Sequence, residues 1–310
     1  MALTSADITA VKAQGFLRNR GTDLFSGRIV APGTVFTAEN FTDMAYIAHN
    51  FGNGKLICTS RLAVEIPGIP FEKIPEARQY ALDHGMRFGG TGAKVRPVTA
   101  CKGTTCVFGN CDTQALAKKI HEDYYLGWDG VKLPHKFKIG VGGCPNSCMK
   151  PSLNDFGVEG HKVPLFDADK CKGCAACAVE KACPMKAAKV ENGKLSIDGS
   201  LCKTCGVCTG KCPFKAVAHE SETRYQIYVG GTWGKHTRMG TPLSRLVREE
   251  EIFPILEKTM LWFKDNAFQK ERLGKAIDRV GVDKLEEALF GDDLLKRKEE
   301  ILAADIKTRG

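Results

Sequence analysis

Apolar and polar positions change period several times along the chain, and each change marks an element. Gly27 to Val35 reads as a strand interrupted at Ala31-Pro32-Gly33, where proline and glycine enforce a turn or an edge. Glu39 to Asn50 carries Phe41, Met44, Ala45 and Ala48 at helical spacing, and Gly52 supplies a stop. Lys55 to Ile66 is β-rich and is expected to end at Pro67-Gly68; a second helix is expected over Ile74 to His84. Strand, helix, strand, helix predicts a small α+β half-domain over residues 1–92. Thr113 to Glu122 reads as a helix with Asp112 as its cap. Leu133 to Lys138 then leads into a strand, so Lys136 and Lys138, two apart, point to one side. Tyr225 opens a strand that runs into a glycine-rich turn. Glu250 to Phe263 places Ile252, Ile255, Leu256, Met260 and Phe263 near one helical face. Arg272 to Phe290 is helical with a break at Gly281, and Lys296 to Glu300 reads as a solvated helix face.

At 310 residues the chain has room for two or three domains. Its fourteen cysteines change the picture more than its length does. No N-terminal stretch combines a basic start, an apolar run and a cleavage site, and no apolar run of ~18 residues could span a membrane. The expectation is a reducing cytoplasm, where many cysteines mean metal ligation rather than disulfides. A formal charge of +9 without any block of five basic residues argues against nucleic acid. A polycarboxylate cofactor or a small anionic substrate would suit the same charge.

Eight of the cysteines form two runs. Cys171-x2-Cys174-x2-Cys177-x5-Cys183-Pro184 is followed by Cys202-x2-Cys205-x2-Cys208-x3-Cys212-Pro213. This is the bacterial two-cluster ferredoxin pattern, in which the fourth cysteine of each run ligates the other cluster. One 4Fe-4S cluster is then expected on Cys171, Cys174, Cys177 and Cys212, the other on Cys202, Cys205, Cys208 and Cys183. Zinc is the alternative, and two triplets each closed by Cys-Pro argue against it. Residues 166–219 would form this unit, which is too short to be stable without its clusters.

The remaining motifs carry a resemblance. Cys101 and Cys106 follow a Pro-Val-Thr-Ala lead-in. Downstream stand Gly143-Cys144-Pro145-Asn146-Ser147-Cys148 and Asp155-Phe156-Gly157-Val158. Together they resemble the sirohaem–iron–sulfur signature of sulfite and nitrite reductases, and most closely that of the C-type subunits of anaerobic sulfite reductases. The resemblance implies an α+β nitrite/sulfite reductase module: a ferredoxin-like half-domain, a sirohaem–4Fe-4S domain over 93–165 and 220–310, and the inserted ferredoxin. It implies a third 4Fe-4S cluster on Cys101, Cys106, Cys144 and Cys148, with Cys148 bridging to sirohaem and Asn146 beside it. Cys101 and Cys106 are one residue closer than is usual in the family, and a register in which Cys111 replaces a ligand stays open.

The run from Cys58 to Ile69 resembles the strand that carries a substrate arginine, which falls on Arg61. Cys58 is expected to be a packed thiol. Lys136 and Lys138 match lysines that bind the oxyanion and help to deliver protons. Gly231, Lys235 and Arg238 match a segment that contacts the cofactor carboxylates. Val30 stands where the family has a second anion-binding arginine, and Arg28, on the same strand face, is the candidate replacement. The implied reaction is the six-electron reduction of sulfite to sulfide. Nitrite reduction is the nearest alternative, and an electron-transfer subunit that has lost sirohaem is another. No NAD or flavin motif is present, so the resemblance calls for a separate electron-donor protein. It also implies a homodimer or a hetero-oligomer, because larger relatives carry two copies of the module.

Overall fold

In the computed structural model, which describes residues 3–309, the first half-domain is a five-stranded antiparallel sheet with helices packed on it. Helix α1 (Ser5–Ala13) leads into β1 (Phe16–Arg18) and β2 (Leu24–Val30). Helix α2 (Ala38–Asn50) starts at Thr37, whose hydroxyl accepts from the Asn40 N–H while the Asn40 side chain accepts from the Thr37 N–H. Two amides that would otherwise lack partners are thereby satisfied. The face it buries is Met44, Ile47 and Ala48; Phe41, expected on that face, is exposed and lies edge-on to Phe36.

The run expected as one strand is a hairpin, β3 (Ile57–Cys58) and β4 (Val64–Pro70). Its turn is set by Leu62 at φ 56° and by Thr59, whose hydroxyl accepts from the Arg61 and Ala63 amides. Pro67-Gly68 does not end β4. The register shifts between Phe25 and Gly27, so the two residues are absorbed as a bulge opposite Ser26. Cys58 is exposed at this sheet edge, not packed. Helix α3 (Ile74–Asp83) and β5 (Arg87–Phe88) complete the half-domain around Phe16, Phe25, Ile29, Met44 and Ile66.

The second sheet begins with β6 (Thr99–Ala100), β7 (Ile139–Gly142) and β8 (Phe156–Lys162), paired in parallel. Helix α4 (Thr113–Ile120) connects the first two, with the Asp112 carboxylate accepting from the Ala115 amide at 2.9 Å. Between β7 and β8 the chain crosses over through Cys144 to Asp155. A Cβ on Gly157 would stand 2.3 Å from the Pro151 carbonyl oxygen, so the crossover lies this close only because glycine is there.

After β8 comes a small unit with helix α5 (Ala178–Ala182) and the hairpin β9 (Ala188–Glu191) and β10 (Lys194–Ile197). The chain returns in β11 (Thr223–Val229), which pairs antiparallel with β8 from Thr223 opposite Lys162 to Val229 opposite Phe156. Residues 163–222 therefore leave and rejoin the sheet at adjacent points, as an insertion in a hairpin. Its neck is closed by Asp167 N–H to Ala216 O at 2.7 Å and Ala218 N–H to Leu165 O at 3.0 Å. Its core is small: Val179, Ala188, Leu195 and Val217, with cysteines packed around them.

Strand β12 (Thr241–Pro242) ends the sheet, and α6 (Glu249–Asn266) covers it with Ile252, Ile255, Leu256, Met260 and Phe263 buried. Gly281 at φ 108° separates α7 (Leu273–Val280) from α8 (Val282–Phe290). The terminal charged segment is two short helices, α9 (Asp293–Lys296) and α10 (Lys298–Ala303), rather than one solvated face. Arg297 sits at their junction and pairs with Asp265, Asp293 and Glu300. No helix among the described residues is long and apolar enough to cross a membrane.

Candidate active site and cluster-binding cysteines

Where the two sheets meet, Arg28, Arg61, Arg96, Lys136 and Lys138 line one cavity of ≈ 190 Å³ with Thr59, Ser60, Gly90 and Pro97. β2 supplies Arg28 and the β3–β4 turn supplies Arg61. Arg96 precedes β6, and the two lysines precede β7. Phe137 between them is fully buried, so alternation sends both ammonium groups the same way. Arg28 is held by Glu65, with Nε to Oε1 at 2.9 Å, and donates to Gly90 O at 2.9 Å. Arg61 is bound only by neutral oxygens: Asn154 Oδ1 at 3.0 Å, Pro97 O at 2.8 Å and Ile139 O at 3.2 Å. No carboxylate bonds it directly, Asp155 offsets its charge only from a distance, and its Nε, like that of Arg96, is buried without a partner.

Burial lowers the Arg61 and Arg96 guanidinium groups to about 10, and the neighbouring arginines push the same way. Burial also pulls Lys138 down to about 8, helped by Arg61, Arg272 and Lys136. A group of cations that depress one another is a site built for a small anion. Arg96 does not stand out in the sequence. Its only signal there is a charge inside the apolar lead-in to Cys101.

Asp155 explains part of the signature. Its buried carboxylate takes Arg272 Nη2 on both oxygens at 2.8 Å and the Lys138 N–H at 2.9 Å. It thereby ties the start of α7 to the lysine-bearing segment. Val30 is 2% exposed and packed in the sheet, so Arg28 alone reaches the cavity from β2.

Lys136 also borders a larger cavity of ≈ 640 Å³, lined by His135, Trp233, Lys235, His236, Arg238, Lys270, Arg272 and Lys275. Burial pulls His135 down to about 4, with Arg272 and Lys136 adding to the effect, so it is neutral at pH 7. Lys235 is exposed at this rim, whereas Arg238 is occupied within the protein. It binds Asp278 at 2.7 Å, Thr241 Oγ1 at 3.1 Å and the Val229, Gly230 and Met239 carbonyls. Arg238 thus holds the glycine-rich turn in shape instead of facing a ligand with free donors. Gly231 likewise has a packing reason: a Cβ there would meet Ser152 O at 2.2 Å. That contact presses the turn onto the crossover after Cys148.

The cysteines fall into groups. Burial raises the Cys144 thiol against the Asn146 N–H that points at it, and Cys101, Cys106 and Cys148 act on it as neighbours. Gly143 N–H donates to Cys101 Sγ at 3.2 Å, and Cys148 is exposed. Cys111 is pushed up to about 12 by burial beside Cys101 and Cys144, but packs against the core. In the insertion, Cys183, Cys202, Cys205 and Cys208 line one cavity with Lys162 and Pro164. Burial pushes Cys208 up to about 11, with the other three adding to it. Cys171, Cys177 and Cys212 pack on the same small core. Among the described residues no three ligating side chains converge on a single ion; a cubane, being larger than one ion, needs its thiols further apart. The donor sets fit both implied groups: thiols for clusters, and for a polycarboxylate tetrapyrrole the lysines of the larger cavity with Arg272, whose Nε is buried without a partner.

Fold and site together define a module that carries grouped thiols and, between its two sheets, a cavity lined by clustered cations. Residues 91–298 match the family described as nitrite and sulphite reductase 4Fe-4S domain, and residues 18–83 match the nitrite/sulfite reductase ferredoxin-like half domain. The chain belongs to the nitrite and sulphite reductase family and is an oxidoreductase. It is 30% identical over 294 residues to the C-type subunit of the anaerobic sulfite reductase of Salmonella typhimurium, covering 87% of this chain and 82% of that one. It is 30% identical over 270 residues to the coenzyme F420-dependent sulfite reductase of Methanocaldococcus jannaschii, covering 86% of this chain but spanning only 42% of that protein. Among solved structures, dissimilatory sulfite reductase I shares the fold with a TM-score of 0.69 and 24% identity, over 86% of this chain and 69% of that one.

Proposed function

We propose that this chain is the catalytic subunit of a sirohaem-dependent sulfite reductase that reduces sulfite to sulfide with six electrons. The observation that carries the reading is the cavity of five cations, which two carboxylates, Glu65 on Arg28 and the buried Asp155 on Arg272, offset only in part. Cys101, Cys106, Cys144 and Cys148 would hold one 4Fe-4S cluster, with Cys148 also facing sirohaem, and the insertion would hold two more. Lys235, Lys270 and Lys275 would hold cofactor carboxylates. When bound, sirohaem supplies an iron that coordinates the anion and passes it electrons one at a time.

The chain's own groups do the rest. Arg61 and Arg96 neutralise charge through fixed guanidinium groups that line the cavity wall. Lys138, with its depressed affinity for protons, is the group best suited to release one as S–O bonds break and to be recharged from solvent. Asp155 and Arg272 hold the Lys138 backbone in place. A separate one-electron protein donor and a second copy or related chain complete the assembly. Nitrite is the second reading, because the cavity recognises charge and not sulfur.

The test is anaerobic turnover with an artificial one-electron reductant. Sulfite should give sulfide, and Arg61→Ala should lower kcat/KM for sulfite and nitrite alike. No turnover of either anion in sirohaem-replete protein would overturn the reading.

A further inference from the structure

The ferredoxin-like insertion meets the rest of the sheet domain at its neck and again at the loop Cys202–Gly206. There Lys162 N–H donates to Thr204 O at 2.8 Å, and His161 Nδ1 lies 2.5 Å from Thr204 Oγ1. Asn110, 8% exposed, stands in this seam. Its side-chain amide donates to Gly160 O at 3.2 Å and to Cys205 O at 3.4 Å. Its backbone N–H donates to Gly143 O at 2.8 Å, and its own carbonyl accepts from Thr223 Oγ1 at 3.0 Å. Gly143 immediately precedes Cys144. A Cβ on Gly206 would stand 2.8 Å from Asn110 Oδ1, so the loop is fitted to this side chain.

One residue therefore joins the backbone of Cys205, in the second ferredoxin group, to the backbone next to Cys144. Cys171, of the first group, is bonded within the insertion instead: its Sγ accepts from Leu195 N–H at 3.3 Å, and Lys194 Nζ donates to its carbonyl oxygen at 3.0 Å.

Electrons tunnel more readily along bonds and hydrogen bonds than across open gaps. Resting on the three-cluster reading above, we propose that Asn110 is the electron bridge between the Cys183/Cys202/Cys205/Cys208 site and the Cys101/Cys106/Cys144/Cys148 site. The Cys171/Cys174/Cys177/Cys212 site is then the outer one, reduced first by the donor. Each transfer moves one electron: the inner ferredoxin site is oxidised by one, the receiving site is reduced by one, and no bond or proton changes. A low-potential one-electron carrier protein refills the outer site. Asn110 touches neither substrate nor iron, so it is a positioning residue.

The test is freeze-quench electron paramagnetic resonance on the anaerobic, cluster-replete chain mixed with a reduced bacterial ferredoxin. In the wild type the signal of the Cys101/Cys106/Cys144/Cys148 site should rise after those of the insertion. Asn110→Ala, and the shape-matched Asn110→Asp, should delay that last signal at least several-fold. Iron content, reduction of the insertion and the spin–spin coupling between sites should stay as in the wild type. Undelayed transfer in both variants would overturn the bridge. So would a delay accompanied by weakened spin–spin coupling, which would make Asn110 a spacer only. A wild-type chain lacking the third signal altogether would overturn the three-cluster reading itself, and the bridge with it.

Discussion

At the start of β7 one ammonium group, Lys138, shares a cavity with three arginines and a second lysine and titrates near 8. Its folded value lies below the ordinary lysine value, so it is charged below pH 8 and neutral above it. The cavity then loses a cation as pH rises. For nitrite, whose charge does not change in this range, KM should climb as pH passes 8. Lys138→Arg should flatten that profile, and Lys138→Met should show the high-pH KM already at pH 7. Arg61→Ala removes a charge-assisted hydrogen bond worth ~1.5–3 kcal/mol, a loss of roughly ten- to a hundredfold in kcat/KM. Val30→Arg should not restore a missing arginine. At 2% exposure the new guanidinium would be buried unpaired, at a cost of roughly 3–5 kcal/mol in chemical denaturation with no gain in sulfite turnover. The lysine pair was legible because alternation on an extended segment needs nothing but spacing. Arg96 was not, because only the packing of Gly90, Arg28 and Pro97 around it makes it a cavity residue. Arg238 lines the larger cavity as the resemblance implies, but the sequence could not show Asp278, from α7, pairing with it there.

The insertion shows what elements add. Two cysteine runs were readable as a unit over 166–219, since cluster spacing is a local constraint. That β8 and β11 form one hairpin around that unit depends on pairing Lys162 with Thr223 across it, a contact that sequence periodicity does not encode. Replacing residues 163–222 by Asn-Gly should therefore close β8 and β11 as an ordinary two-residue hairpin. The shortened chain should fold and lose about eight iron atoms, as expected for two four-iron clusters, and should no longer accept electrons from a ferredoxin. Failure to fold would mean that the insertion is part of the domain core. Other elements were misjudged for local reasons. Pro67-Gly68 is absorbed by a bulge instead of ending β4, and the turn at Thr59–Leu62 splits a β-rich run into a hairpin. Gly281, by contrast, breaks the helix where the pattern breaks, because its φ of 108° is one that other residues rarely adopt.

Charge works at the scale of the whole molecule. Residues 166–219 carry nine lysines against five acidic residues, on a chain of formal charge +9. Two oxidised 4Fe-4S clusters with their thiolates, about −2 each, would cancel this excess in the sum, but eight of the nine lysines are exposed and present a cationic surface that an acidic donor complements. Raising salt from about 0.05 M to about 0.5 M should slow reduction of the chain by such a protein, while reduction by a neutral small molecule changes little. In the proposed function, two cavities and three thiol groups form one assembly: electrons would arrive at the insertion, and the anion would be held between the sheets. The proposed tetrapyrrole is the component on which this reading depends, since the ≈ 640 Å³ basic cavity would hold its carboxylates. The ultraviolet–visible spectrum of the anaerobically purified chain tests this most directly. The account predicts a Soret band and a red band that shift when sulfite or nitrite is added. A spectrum with only the broad absorption of iron–sulfur clusters, unchanged by either anion, would contradict it.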